Sequence, residues 1–377
     1  MTASAPTQPT RATLVVALVG LALTAGLVMR LLADLGWDAT AFVGFGEDAT
    51  PTREYAEEHL GDVFLRTSQG HDGKFFFVQA NDPLLIDPVA NAELLDFPVH
   101  RSRRMLYPLV AGGFGLFAPE ATVWGLLAAN VAAMAIGTWG TARLAVSLGR
   151  SPWWGLVFTL NIGLLFDLLI NSAGIFALAF AVWAVALLYE GHFHHAVASL
   201  AAAVLSREVM ILCALGLSVW LWTERRRRHA LFASGVPALL FGLWEIYLRF
   251  RLGADTGDRE SLGVPFVGLV RSIGEWWQEP VTLAFGICVL AFGVLYLVRF
   301  WVRRTLLGWA FVGFLPLASL MTAEIWTEFF DFSRVLAPLL TASILLVFVE
   351  GTGSSSSPRA AKVEAVHRGH SESHRPD

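Results

Sequence analysis

The chain has 377 residues, 55% of them hydrophobic and only 15% charged, with a net charge of −4. Soluble domains run nearer a quarter charged, so this composition points to a membrane protein, and the absence of any basic domain argues against a nucleic-acid partner. Cys213 and Cys288 are the two cysteines, and both fall inside apolar runs, which argues against a disulfide or zinc framework.

Long apolar runs recur along the chain without alternating at period two, so they predict membrane helices rather than barrel strands. A span needs about 20 apolar residues. The first run, Ala12 to Leu35, exceeds the roughly 7–15 residues of a signal-peptide core and reads as a retained first span. Spans are expected at 12–34, 121–146, 153–171, 174–190, 229–250, 280–298, 305–323 and 333–350. The stretch 196–222 is too long for one span and carries Ser206-Arg207-Glu208 at its middle, so two short helices meeting at the membrane surface are expected there. Arg11, Arg143, Arg150, the histidines 192, 194 and 195, Arg225 to Arg228, Arg299, Arg303 and Arg304 all fall on one side if the chain crosses ten times. The predicted fold is therefore all-α, a polytopic transmembrane bundle over 1–350 with both termini cytoplasmic. The segment 351–377, rich in Ser, Arg, His and Glu, reads as a disordered tail.

This topology sends residues 36–120 outside, a loop several times longer than ordinary connections and hence structured and functional. Thr50-Pro51 opens a helix in cap and first-turn order, Asp72 precedes "GKFFFVQAN", and Asp87-Pro88 opens a third short helix. Met105 to Phe117 is apolar but short, contains Pro108 and Gly112-Gly113, and reads as a helix in the outer interface. Phe75, Phe76 and Phe77 point three ways around a helix and suit packing at the membrane interface.

Asp72 admits two readings that do not exclude one another: a helix N-cap, and a general base toward a hydroxyl. Arg101, Arg103 and Arg104 lie on the outer side, against the positive-inside trend, as a phosphate site or as anchors for anionic headgroups. Arg207 and Glu208 are either a local ion pair or part of the same outer cavity. Asp167 lies near the outer end of its span, Glu245 can pair with Arg249 one turn on, and Arg334 opens the last span from outside as a second phosphate candidate. No P-loop, HExxH or Cys/His metal spacing occurs; adjacent His71 and Asp72 are a possible metal pair but only two residues, so no cofactor is expected, and a divalent metal is possible but not indicated.

"HDGKFFFVQANDP", "RRMLYPLVAGG" and "AAVLSREVMIL" together resemble the GT-C glycosyltransferases, in particular a bacterial group with an xDGxxF…YPL pattern similar to the mannosyltransferases of GPI-anchor synthesis. Where that group carries Tyr before the acid, this chain has His71, and its aromatic pair is Phe76-Phe77. The resemblance implies a polytopic enzyme of the cell envelope. Such an enzyme transfers a sugar from a polyprenyl-phosphate donor to a glycan or lipid acceptor hydroxyl on the extracytoplasmic face, with inversion. It implies Asp72 as base, with Glu47 and Asp48 as competing acids. It also implies Arg101, Arg104 and Arg207 at the leaving phosphate; Lys74, Tyr107, Asp167, Glu208 and Arg334 are further substrate-binding candidates. A lipid or solute transporter predicts instead a polar path through the bilayer, and a non-catalytic scaffold predicts that the loop acids and arginines do not converge.

Overall fold

The computed structural model describes residues 11–48, 50–67, 70–253 and 262–350. It is mainly helical, and among the described residues one two-stranded ladder pairs Phe45–Gly46 in parallel with Leu65–Arg66. The predicted tail, 351–377, lies outside the described residues.

Helix α1 (Arg11–Asp34) leads into the long loop, which folds into α2 (Pro51–Leu60), α3 (Gly73–Asn81), α4 (Pro88–Leu94), α5 (Pro98–Ser102) and α6 (Leu106–Phe114). The expected caps form at two of these helices: Thr50 Oγ1 accepts from the Arg53 amide at 3.3 Å, and Asp87 Oδ1 from the Ala90 amide at 3.1 Å. Helix α7 (Pro119–Ser147) then packs against α1, α3 and α6 and seats the loop on the bundle.

The interior is built from short helices. The pair α8 (Leu156–Thr159) and α9 (Ile162–Leu169) is bent by 48° at Leu160-Asn161. Asn161 makes the break stable: its Oδ1 accepts from the Gly163 amide at 2.9 Å, and its Nδ2 donates to the Ala337 carbonyl at 3.1 Å. Helix α10 (Gly174–Tyr189) is buried on nearly every side between α7 and α11 (Phe193–Ser206). The chain breaks at Arg207 and resumes as α12 (Ile211–Thr223), as the charge pair there predicts. Helix α13 (Arg227–Leu252) packs on α11 and α12. After it come α14 (Val267–Trp276), α15 (Pro280–Arg303), α16 (Leu306–Phe311), α17 (Phe314–Leu320), α18 (Ala323–Thr327), α19 (Phe329–Val335) and α20 (Ala337–Ile344). The α19–α20 pair bends by 63°, and Pro338 follows the bend, where its missing N–H costs nothing.

Each predicted span corresponds to a helix or a broken pair, but lengths differ from expectation. By length and composition, α1, α7, α13 and α15 can cross a membrane, and six elements can if each bent pair counts as one. Helices α10, α11 and α12, of 16, 14 and 13 residues, are shorter than a 20-residue span. Apolar runs of sequence do not separate a helix that crosses lipid from one buried inside a bundle. The outward faces of α1, α13 and α15 expose Leu18, Leu239, Ile246 and Val298, as a lipid-facing surface would.

Helix α13 also anchors the loop. Arg103 Nε donates to Glu245 Oε1 at 2.6 Å, Trp244 Nε1 to the Ser102 carbonyl at 2.8 Å, and Arg251 to the Leu85 and Ile86 carbonyls. The expected Glu245–Arg249 pair is only a 4.0 Å contact, because the better-aligned Arg103 takes the carboxylate.

Candidate functional site: an arginine-lined cavity under the first loop

The segment around Asp72 is fixed by backbone before any side chain acts. Gly44 and Gly70 both take positive φ, and the His71 amide donates to the Gly44 carbonyl at 2.8 Å. Gly73 lies so close to the carbonyls of Val43 and Ile170 that a Cβ there would overlap both. Only glycine lets the loop come this near the bundle.

Asp72 does not cap α3. Its backbone is already helical (φ −58°, ψ −25°) and its carboxylate accepts no helix N–H. It turns outward and accepts from Arg101 Nη1 at 2.8 Å, with Arg334 Nη2 at 3.6 Å from its other oxygen. Arg101 is itself held on three sides: Asp96 takes its Nε and Nη2 at 2.8 and 2.9 Å, and the Phe75 ring lies 4.0 Å below its guanidinium. Burial pushes the Asp72 carboxyl up, but the charges of Arg101, Arg334 and Arg104 and the Arg101 hydrogen bond outweigh it and hold the group well below the usual carboxylate range. Asp72 is therefore ionised at any physiological pH.

The three phenylalanines are buried rather than set in a membrane interface. Phe75 supports Arg101, Phe76 meets the Tyr107 ring edge-on at 5.2 Å, and Phe77 meets Phe45 at 5.7 Å. All three directions around the short helix find protein, so none is left for lipid.

A cavity of about 620 Å³ opens beside Asp72. Its walls bring together Asp72, Lys74, Arg101, Arg104, Arg207, Glu208 and Arg334, which come from four separated stretches of the chain. Arg104 sits in a fork with Glu208, both contacts at 3.2 Å. Burial pulls the Arg104 guanidinium down, yet Glu208 and Asp72 lift it above its ordinary value. Arg334 donates from Nε to Asp167 Oδ1 at 2.8 Å, behind the wall. Arg207, at the break between α11 and α12, makes no ion pair among the described residues. The cavity carries five cations (Lys74, Arg101, Arg104, Arg207, Arg334) and six carboxylates (Asp72, Glu93, Asp96, Glu208, Glu324, Asp331), so its charge is near balance. Arg207 forms no ion pair among the described residues, and the charges of Asp167 and Glu208 act on it only from a distance. One part of the remaining wall is apolar, from Val209, Leu317, Met321, Ile325 and Val335.

Four sequence candidates lie elsewhere. Glu47 and Asp48 are exposed and do not line the cavity. Tyr107 is fully buried, donating to the Leu126 carbonyl and accepting from Asn130 at 2.9 Å, so its hydroxyl supports the bundle. Asp167 does not line the cavity; its ion pair is with Arg334, and it lies near Arg207 across Gly174. Sequence reasoning passed over Phe330, and saw Asp331 only as one of the charges crowding the last outer link. The Phe330 ring lies tilted against His71 at 5.1 Å and under the Arg334 guanidinium, and Asp331 lines the cavity. The crowding of Asp331 with Glu324, Glu328 and Arg334 was the signal, and nothing in the pattern singled out Phe330. Among the described residues no group of three or more His, Cys, Asp or Glu could hold a metal ion.

The fold and the site define a helical chain with membrane-length helices and a polar, arginine-lined cavity beneath its first long loop. No family model, no curated protein and no solved structure matches the chain.

Proposed function

We propose that this chain is an integral membrane glycosyltransferase of the GT-C kind, crossing a bacterial plasma membrane ten times with both termini cytoplasmic. It moves a sugar from a polyprenyl-phosphate donor to an acceptor hydroxyl on the extracytoplasmic face, with inversion. The observation that carries this reading is the convergence of Arg101, Arg104, Arg207 and Arg334 with Asp72 on one cavity that also has an apolar wall. Such a cavity suits a ligand with a phosphate head and a hydrocarbon tail. A scaffold without activity gives no reason for these charges to meet, and a transporter calls for a polar path through the bilayer rather than a cavity under a loop.

The arginines hold the phosphate and offset the negative charge that develops on it as the sugar leaves. Arg207 is the arginine best placed to meet the phosphate, because it forms no ion pair among the described residues. Asp72, ionised, accepts a hydrogen bond from the acceptor hydroxyl and aims it at the anomeric carbon.

The test is transfer of label from a decaprenyl-phosphate hexose to membrane extract by purified protein in liposomes. Asp72→Asn should lower transfer by about 100-fold or more. Arg207→Gln should raise the donor KM. Wild-type rates in both variants would refute the reading.

A further inference from the structure

Asp72 poses a chemical problem. Two guanidiniums take its oxygens, Arg101 at 2.8 Å and Arg334 at 3.6 Å, so the carboxylate is a weak proton acceptor. Its chain neighbour, His71, has the opposite situation. The His71 imidazole lines the same cavity, partly exposed, with one face against the Phe330 ring at 5.1 Å and 34°. Neither ring nitrogen has a hydrogen-bond partner among the described residues, and neither is sealed off. Its backbone is pinned at both ends, the amide to Gly44 and the carbonyl to the Lys74 amide. Gly44 packs closely on this side, since a Cβ added there would lie 3.1 Å from the His71 Cβ and 3.5 Å from its Cδ2.

We propose that His71 is the catalytic base, taking the acceptor's proton while Asp72 holds the hydroxyl in place. This rests on the glycosyltransferase reading above and assigns a different residue to its proton step. In the step, the acceptor O–H breaks and its proton passes to the free imidazole nitrogen. The acceptor oxygen bonds to the anomeric carbon as the bond from that carbon to the phosphate oxygen breaks. The bonding pair leaves on the phosphate, which the arginines hold, and the imidazolium returns its proton to water.

The groups facing His71 fit this duty. They are Arg334 and Asp331 on α19, Arg66 at the ladder, and Asp72 and Lys74 on its own stretch. Burial first, then Arg334 and Arg66, lower the imidazole from its ordinary value of about 6.5, and Asp72 only partly opposes them. A lowered imidazole is neutral at pH 7 and able to accept a proton, whereas the Asp72 oxygens are held by Arg101 and Arg334.

The experiment follows decaprenyl-phosphate mannose, and the glucose analogue alongside, with full-length protein in liposomes and membrane extract as acceptor. His71→Gln should lose about 100-fold or more in kcat with the donor KM within about threefold. His71→Ala should regain transfer when free imidazole is added, which a packing role would not produce. The wild-type rate should fall on acidification with a midpoint below about 6.5, and that limb should persist in the residual rate of Asp72→Asn but vanish in His71→Gln. Transfer by His71→Gln at near wild-type rate, or an unchanged acid limb in it, overturns the assignment while leaving the glycosyltransferase standing. Loss of transfer in His71→Ala that imidazole does not restore, with a raised donor KM, also overturns it. Wild-type protein inactive with both donors removes the reading and, with it, the role of His71.

Discussion

Replacing Arg334 with methionine is the sharpest probe of how the cavity is held together. The Arg334 side chain is 9% exposed and its partner Asp167 is 0% exposed. Its guanidinium reaches Asp167 at 2.8 Å, Asp331 at 3.4 Å, Asp72 at 3.6 Å and the Ser172 hydroxyl at 3.3 Å. Methionine fills the space and removes the charge, which strands the Asp167 carboxylate in the interior. Breaking a buried pair in this way costs about 3–5 kcal/mol. Gly174 leaves a gap that both Asp167 Oδ2 and Arg207 Nη1 border, so Arg207 offsets part of the loss and the cost should fall near the lower end of that range. Unfolding in mixed micelles by SDS titration measures it. Arg334→Met together with Asp167→Asn should then be much less unstable than the two single changes added, with a coupling of about 2 kcal/mol or more. A single variant within 1 kcal/mol of wild type on this scale, or a double variant as unstable as the sum, would refute the reasoning.

Three further outcomes are expected. Gly73→Ala forces a Cβ into the Val43 and Ile170 carbonyls and should cost about 1–3 kcal/mol, read as a lowered melting temperature with loss of transfer; an unchanged melt would contradict the close approach. The Asp72 carboxyl titrates below its unfolded value of about 3.9, so its ion pairs are complete above that pH and weaken as pH falls toward the folded value. The stability difference between wild type and Asp72→Asn should therefore be flat at neutral pH and shrink in acid, and a difference that grows on acidification would reverse the sign. Glu47→Gln and Asp48→Asn should leave transfer within about twofold, since both acids are exposed outside the cavity; a tenfold loss in either would move the chemistry out of the cavity.

Much of the fold was legible because apolar runs and their breaks are local. The break at Ser206-Arg207-Glu208 was read from a charge pair that a continuous apolar helix would not tolerate, and α11 and α12 end and begin there. Thr50 and Asp87 were read as caps from their neighbours, and both cap. Asp72 shows the limit of such reading. A local pattern made it a cap, but Arg101, 29 residues on, and Arg334 compete for its oxygens, and charged partners at this distance win over a helix amide. Glu245 met the same fate, drawn from Arg249 one turn away to Arg103 from the loop.

The sequence alone determined the helical class, the long first loop and the short list of charged residues. Each follows from hydrophobic length, turn chemistry and the cost of placing charge in an apolar run, and none depends on distant contacts. Only the tertiary structure decided which of those charges meet. Burial gathered Asp72, Arg101, Arg104, Arg207 and Arg334 around one cavity, left Glu47 and Asp48 outside, and set Phe330 against His71. Those choices belong to packing between elements far apart in the chain, where each ion pair forms with whichever partner the folded backbone brings within reach.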